Sequence, residues 1–387
     1  MASHGTKDRR SLRSGRVVTL RVGVNLLWLR AGQVGGSQEY LIRQLTGLSQ
    51  CNRGEFDVTL FVQPNFATNH SQLAAIYKFV EAPKHGGVRV LRILLEQTWL
   101  AFKTRKFDLL HHGGGTMPRF SGRRTMLTIH DVQYLSFPEN FSRARLVYLS
   151  KLVPRSLNRA SIITTPSQYV RDRLVAKFNL SPDKVRVVRH GIDDQLGKSA
   201  TSESELRSRL RLQNKDVIFL PAVTHPHKNH KFLLQLMKTY WTDENLVLVC
   251  AGGKGRGEND FMREVRRLNL DDRVFRLDRV VDEDRDGLMR LSKALVFPSL
   301  YEGFGAPVIE AMQLETPVVA SDCAALPEVV GDAGLVLPLE LDQWASALEI
   351  VASSRQALIS SGIARAGQFS IAKSGQDLFD AYKAALS

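Results

Sequence analysis

The chain has 387 residues, 43% of them hydrophobic and 24% charged, which is too long for one ordinary core and about right for two globular domains. Its longest apolar runs, such as 217–220 and 246–250, are strand-sized, and none approaches the ~20 residues that a transmembrane helix needs. The net charge of +14 favours anionic partners; with no nucleic-acid motif or zinc-finger spacing, the expected ones are an anionic membrane surface or a phosphate-bearing substrate rather than nucleic acid.

In chain order, residues 1–16 form a basic tail. Lys7, Arg9, Arg10, Arg13 and Arg16 face only Asp8 there, and the lack of an apolar core in this stretch argues against a secretory signal. A strand is predicted over 17–25, then a glycine-rich turn (Gly32, Gly35, Gly36) and a helix over 37–49. Further strands follow at 56–63, 109–111, 125–129, 162–165 and 185–188. Between them, residues 88–106 mix Leu91, Leu94, Leu95, Trp99 and Phe102 with Arg89, Arg92, Lys103, Arg105 and Lys106. That pattern suits a helix lying on anionic lipid, or one packed on the sheet with its charges in water. After Gly191 the pattern breaks, and residues 194–215 read as an interdomain connection around one helical stretch. A second alternating set begins at 217–221 and continues through 246–251, 274–277, 294–298, 318–320 and 334–336. Alternation of this kind implies parallel βαβ units, here two Rossmann-like halves facing across a cleft. The predicted division is 17–193, 194–366 and a terminal helix over 367–387.

Cys51, Cys250 and Cys323 have neither zinc-site nor disulfide-framework spacing. They are expected to be buried thiols in a reducing compartment, which points to the cytoplasm.

Three segments carry candidate chemistry. From Pro298 to Met312 the chain reads strand end, glycine turn, helix. Gly303 and Gly305 permit a sharp turn close to a ligand, and Pro307 suits a first helical turn. The helix N-terminus favours an anion such as a nucleotide diphosphate, while Glu302 and Glu310 can accept hydrogen bonds from hydroxyls. An ordinary strand–turn–helix with two surface glutamates is the competing explanation. The second segment is Thr224-His-Pro-His-Lys228-Asn229-His230, where a lysine at a strand-to-helix turn can neutralise a diphosphate. The third is His130-Asp131, after a strand: either a group lining the cleft or a structural histidine with its aspartate as a local cap.

The Pro298–Met312 stretch closely resembles the E-x7-E signature of the retaining GT-B glycosyltransferases called group 1, or family 4. Asp282-Glu283, Pro317–Ser321, Leu326–Val329 and Gly331–Gly334 resemble the family's flanking pieces in the expected order. The resemblance implies a nucleotide-sugar-dependent hexosyltransferase acting with retention. Glu310 would hold the ribose hydroxyls and Glu302 would sit near the donor sugar. Phe304, Gly305 and Ala306 would offer backbone contacts, and Gly35 and Gly36 would line the cleft opposite the diphosphate. Lys228 would neutralise the leaving group, and His130 would contact the donor sugar or the acceptor.

No metal or other cofactor is expected, since Asp282-Glu283-Asp284 reads as helix capping. The Pro-His-Lys-Asn-His variant is similar to a subgroup that adds mannose, so GDP-mannose is the leading donor, with a UDP-sugar as the alternative. The acceptor is a glycan or lipid-linked saccharide, reached from the cytoplasm or the inner face of a membrane. Two departures stand out. The arginine that the family places before Lys228 is replaced by Ala222 and Val223, with His225 or His227 expected to substitute in part. Glu315 stands where glycine usually ends the helix. A GT-B protein that only binds glycans or nucleotide sugars is the alternative function.

Overall fold

Aliphatic and β-branched runs make the strands, and most of their residues are buried on both faces, as parallel sheets covered by helices require. The computed structural model describes residues 19–29, 35–84, 88–122 and 124–387; the basic tail and Gly32 lie outside the described residues. The first sheet contains β1 (Leu20–Asn25), β2 (Phe56–Val62), β3 (Lys78–Glu81), β4 (Leu109–His112), β5 (Thr125–Thr128), β6 (Ile162–Thr165) and β7 (Val185–Val187). Their spatial order is β3-β2-β1-β4-β5-β6-β7, every pairing being parallel. The second sheet contains β8 (Asp216–Pro221), β9 (Leu246–Ala251), β10 (Val274–Leu277), β11 (Ala294–Phe297), β12 (Val318–Ser321) and β13 (Leu335–Leu337). It runs β10-β9-β8-β11-β12-β13 and is also parallel. The expected pair of doubly wound domains is therefore present. Strand order reverses between β1 and β4 and again between β8 and β11, and ligands of such sheets bind beyond the carboxyl ends of the strands there.

Five helices position the cleft: α1 (Gly36–Cys51), α2 (Gln168–Phe178), α3 (Asp282–Leu291), α4 (Ala306–Gln313) and α5 (Ile371–Leu386). The terminal helix α5 leaves the second domain and packs on the first. Leu378, Phe379 and Tyr382 are buried in the core of the first domain, each burial contributing roughly 2 kcal/mol. Tyr382 also bonds His111 Nδ1 at 3.0 Å. Where α1 crosses α5, Gly47 and Gly375 leave no room for a side chain, because a Cβ on either would meet the other helix's backbone.

Residues 194–215, expected as a connection grouped with the second domain, pack on it: Leu206 and Leu212 are buried in its core, and Gly197 N donates to Asp286 Oδ2 at 2.9 Å. Several other expectations need correction. The 88–106 segment is not one regular helix. Arg89–Leu95 is α-helical and Glu96–Leu100 makes a π turn, with Leu95 and Leu100 buried against Leu27 and Phe61 of the sheet domain. Asp282, Glu283 and Asp284 lie inside the first turn of α3 rather than before it, and no side chain caps that helix. Asp282 and Asp284 bind Arg285 and Arg209 at 2.7 and 2.6 Å. Of the three free cysteines only Cys250 is buried. Glu315 keeps the left-handed backbone of the glycine it replaces, with φ of +63°.

Candidate active site

The loop between β11 and α4 is shaped by two glycines. Gly305 has φ of +94°, and a Cβ there would stand 2.8 Å from Leu326 Cδ2. Positive φ together with that contact restricts the position to glycine. Gly303 packs so closely on the His130 carbonyl of the other domain that a Cβ there would clash. Ser167 Oγ donates to Gly303 O at 2.7 Å, and Val132 N donates to the Tyr301 hydroxyl at 3.0 Å. From the second domain, the Glu328 carboxylate accepts from Gln168 N and Tyr169 N at 2.7 and 2.9 Å. It thereby satisfies orphan donors in the first turn of α2. The two domains are thus clamped around the loop.

Glu302 sits at the apex of the loop and is mostly buried. Lys228 Nζ, from the turn after β8, donates to its Oε1 at 2.5 Å. Leu300 N donates to His227 O at 2.7 Å, so the two segments singled out in the sequence form one substructure at the β8–β11 switch point. The Lys228 ammonium also lies 5.3 Å from the Phe297 ring centroid.

Glu310 lies one turn inside α4 and is buried. Arg43 of α1 reaches across the cleft and donates to its Oε1 at 3.0 Å, and to Gly191 O at 3.2 Å. Burial alone would raise the Glu310 carboxyl, yet Arg43, Arg285 and His190 together hold it below the usual range. His190 stacks on Phe304 with centroids 5.1 Å apart and planes 20° from parallel. Burial, followed by the nearby Arg43 charge, lowers the His190 ring to about 4, so it is neutral at physiological pH.

Gly35 and Gly36 open α1 on the opposite wall. A Cβ on either would meet nothing within 4 Å, so their missing side chains leave cleft volume beside a helix N-terminus that attracts anions. His130, at the end of β5, is held by Nε2, which donates to Gly113 O at 2.7 Å; a carbonyl only accepts, so the proton is on Nε2. Its ring lies 5.4 and 5.5 Å from those of Trp28 and Tyr40, and burial lowers its pKa. Asp131 caps locally, accepting from Gln133 N at 2.9 Å.

One cavity of about 440 Å³ brings together Gly35, Gly36, His130, Lys228, Glu302, Phe304, Gly305, Ala306 and Glu310. All nine residues singled out in the sequence therefore share a site. The same cavity is lined by Glu39, Arg43, His190, Arg279 and Arg285, which sequence reasoning missed. Arg43 left a readable signal, since it falls among Tyr40, Leu41, Gln44 and Leu45 on the buried face of α1, where an unpaired arginine would be costly. The histidines expected to substitute in part for the absent arginine are not among the residues that line this cavity. His225 and His227 line an adjoining chamber, and burial, then Lys228, lowers His227 to about 3. The cations beside Lys228 in the cavity are arginines from α1 and from the β10–α3 region.

Two parallel-sheet domains with a ligand-sized cavity between their switch points define the GT-B architecture. The family described as "Glycosyl transferases group 1" matches residues 202–357, and "Glycosyltransferase Family 4" matches residues 34–196. The chain belongs to the group 1, family 4 glycosyltransferases. It is 29% identical over 331 residues to O-antigen chain mannosyltransferase B of Escherichia coli, covering 82% of this chain and 84% of the relative. It is 28% identical to O-antigen chain mannosyltransferase RfbU of Salmonella typhimurium, covering 83% and 88% of the two chains. Among solved structures, Anabaena HepE in complex with UDP and glucose superposes with a TM-score of 0.71 at 20% identity, covering 94% of this chain and 99% of that one.

Proposed function

We propose that this glycosyltransferase moves a mannosyl group from GDP-mannose to a glycan or lipid-linked saccharide, with retention at the anomeric carbon. The observation that carries this reading is the Lys228–Glu302 pair at 2.5 Å, set beside the start of α4 with Glu310 one turn further in. The O-antigen mannosyltransferases that the chain resembles along four-fifths of its length support the choice of sugar and of acceptor class.

In this mechanism Glu310 accepts from the ribose hydroxyls, and the N–H groups that open α4 meet the diphosphate with Phe304, Gly305 and Ala306. Lys228 neutralises charge as the anomeric C–O bond breaks, which is electrostatic stabilisation of a leaving group. The acceptor hydroxyl attacks the same face and its proton passes to the departing phosphate oxygen, so no side-chain base is required. Glu302 faces the sugar while holding Lys228, and His130 orients the sugar or acceptor from the other domain. Gly35 and Gly36 leave room opposite the diphosphate. No metal enters this scheme; loss of activity with a chelator and its restoration by manganese would overturn that part.

The test is product analysis by proton NMR with GDP-mannose as donor. An axial anomeric product with wild type, formed roughly 10²–10³ times more slowly by E302Q, is expected; an inverted product would refute the mechanism.

We also propose peripheral contact with an anionic membrane through the 88–106 segment, at the cytoplasmic face. Its inner face is packed, but Val88, Val90, Leu94 and Phe102 are 66, 75, 56 and 62% exposed, beside Lys103, Arg105 and Lys106. Flotation with phosphatidylglycerol vesicles should capture wild type at low salt and lose the L94E/F102E variant; equal behaviour of the two would sink the idea.

A further inference from the structure

Next to the donor cavity, and sharing Ser37, His130 and Asp131 with it, lies a second chamber of about 600 Å³. The two differ in charge. The donor cavity mixes Glu39, Asp131, Asp282, Glu302 and Glu310 with its cations, as a ligand bearing both hydroxyls and phosphates requires. The second chamber is lined by Arg89, Arg92, Arg145 and Arg256, with Asp131 as its carboxylate.

Of these arginines, Arg89, Arg145 and Arg256 have no carboxylate within ion-pair distance among the described residues. Among the described residues, Arg92 reaches Glu96 only at 3.9 Å. Arg145 rests its guanidinium over Phe141, 4.8 Å from the centroid, and Arg256 donates to the Glu139 carbonyl at 3.3 Å. Partial burial lowers the Arg145 guanidinium, and Arg89 and Arg256 lower it further against the opposing Asp131, which reflects like charges held close together. Trp28 Nε1, Asn140 Nδ2, Arg92 Nε, the Tyr134 hydroxyl and His227 Nδ1, all on residues that line the chamber, are buried with no hydrogen-bond partner among the described residues. The first three atoms only donate, while the Tyr134 hydroxyl and the His227 nitrogen can each donate or accept. Three arginines without carboxylate partners, together with orphaned donors, suit a ligand rich in acceptor atoms, and guanidinium matches phosphate in charge and geometry.

We infer that the acceptor carries a phosphate or diphosphate, and that Arg89, Arg145 and Arg256 hold it in the second chamber while its sugar end reaches His130. The inference rests on the glycosyltransferase reading of the neighbouring cavity and names the acceptor class for that site. A lipid-linked saccharide diphosphate and a soluble sugar phosphate share this chemistry.

The experiment is calorimetric titration of inorganic pyrophosphate into enzyme already saturated with GDP, which blocks the donor cavity. Wild type should bind pyrophosphate. R145Q and R89Q/R256Q should each weaken that binding by about tenfold or more, as loss of charge-assisted hydrogen bonds implies, while GDP affinity stays within about twofold. Circular dichroism verifies that both variants are folded. Competition from polyprenyl diphosphate in phosphatidylcholine vesicles would assign the phosphate to a lipid carrier; competition from mannose 1-phosphate alone would assign it to a soluble acceptor. No pyrophosphate binding to the GDP-saturated wild type, or equal binding by wild type and both variants, would overturn the proposal. Failure of GDP itself to bind would instead count against the nucleotide-sugar reading.

Discussion

Glu302, Lys228 and Glu310 share one cavity, and their surroundings separate their tasks. Glu302 and Lys228 neutralise each other at 2.5 Å, so each variant alone leaves a mostly buried charge without its partner. E302Q and K228Q should each lower kcat by about 10²–10³, the range seen when one electrostatic contributor to a transition state is removed, measured with saturating GDP-mannose. Glu310 is held by Arg43, and in the proposed mechanism it accepts from the ribose. E310Q should therefore act mainly on donor binding, weakening GDP by roughly 10–100-fold, the cost of hydrogen bonds to a charged group; an unchanged Kd would remove Glu310 from the ribose. Glu315 carries a different prediction. Its φ of +63° costs a non-glycine residue roughly 1–2 kcal/mol. Glycine would relieve that at a smaller entropic cost, so E315G should raise the unfolding free energy by about 0.5–1 kcal/mol in urea titrations without affecting turnover.

At the scale of elements, the α1–α5 crossing is the most sensitive joint. Gly47 and Gly375 bring two helix backbones together where any Cβ would collide. G375A should cost ~2 kcal/mol or more, as overpacking does, read as a lowered urea midpoint; an unchanged midpoint would mean the helices slide apart freely. Much of this level was legible beforehand. Continuous apolar runs such as Leu246–Ala251 announced buried parallel strands, and the glycine turn with Pro307 announced the start of α4. The edge strand β3 was not legible, because Lys78-Phe-Val-Glu81 is too short and too charged to separate from a loop. The π turn at 96–100 was equally hidden, since its composition is that of an ordinary helix. Within the site, single segments such as Pro298–Met312 could be read directly. Arg43 could be suspected from its place on the buried face of α1, but His190 and Arg285 could not be read, because only the fold brings them to the cavity. The absence of an arginine at 222–223 suggested nearby histidines as replacements, whereas the fold recruits cations from distant helices.

At the scale of the molecule, buried histidines tie stability to pH. His111, His112 and His227 are lowered to about 3, and His190 and His230 to about 4, chiefly by burial. An unfolded histidine titrates near ~6.5, so between these values the unfolded chain binds more protons than the folded one. Stability is therefore full above about pH 6.5 and is lost as pH falls, each ring contributing a slope of up to ~1.4 kcal/mol per pH unit. Urea midpoints should drop steeply from pH 7.5 to 5.5; a flat profile would mean the rings are hydrated. These rings sit at both switch points, so acid should loosen the clamp around the cleft along with the core. In the proposed mechanism that clamp presents Lys228 and Glu302 to a donor, and release of GDP from GDP-mannose by wild type, E302Q and K228Q is the measurement that tests this most directly. Turnover by wild type and its collapse in both variants is expected; full turnover by both variants would contradict the assignment of this cavity as the catalytic site.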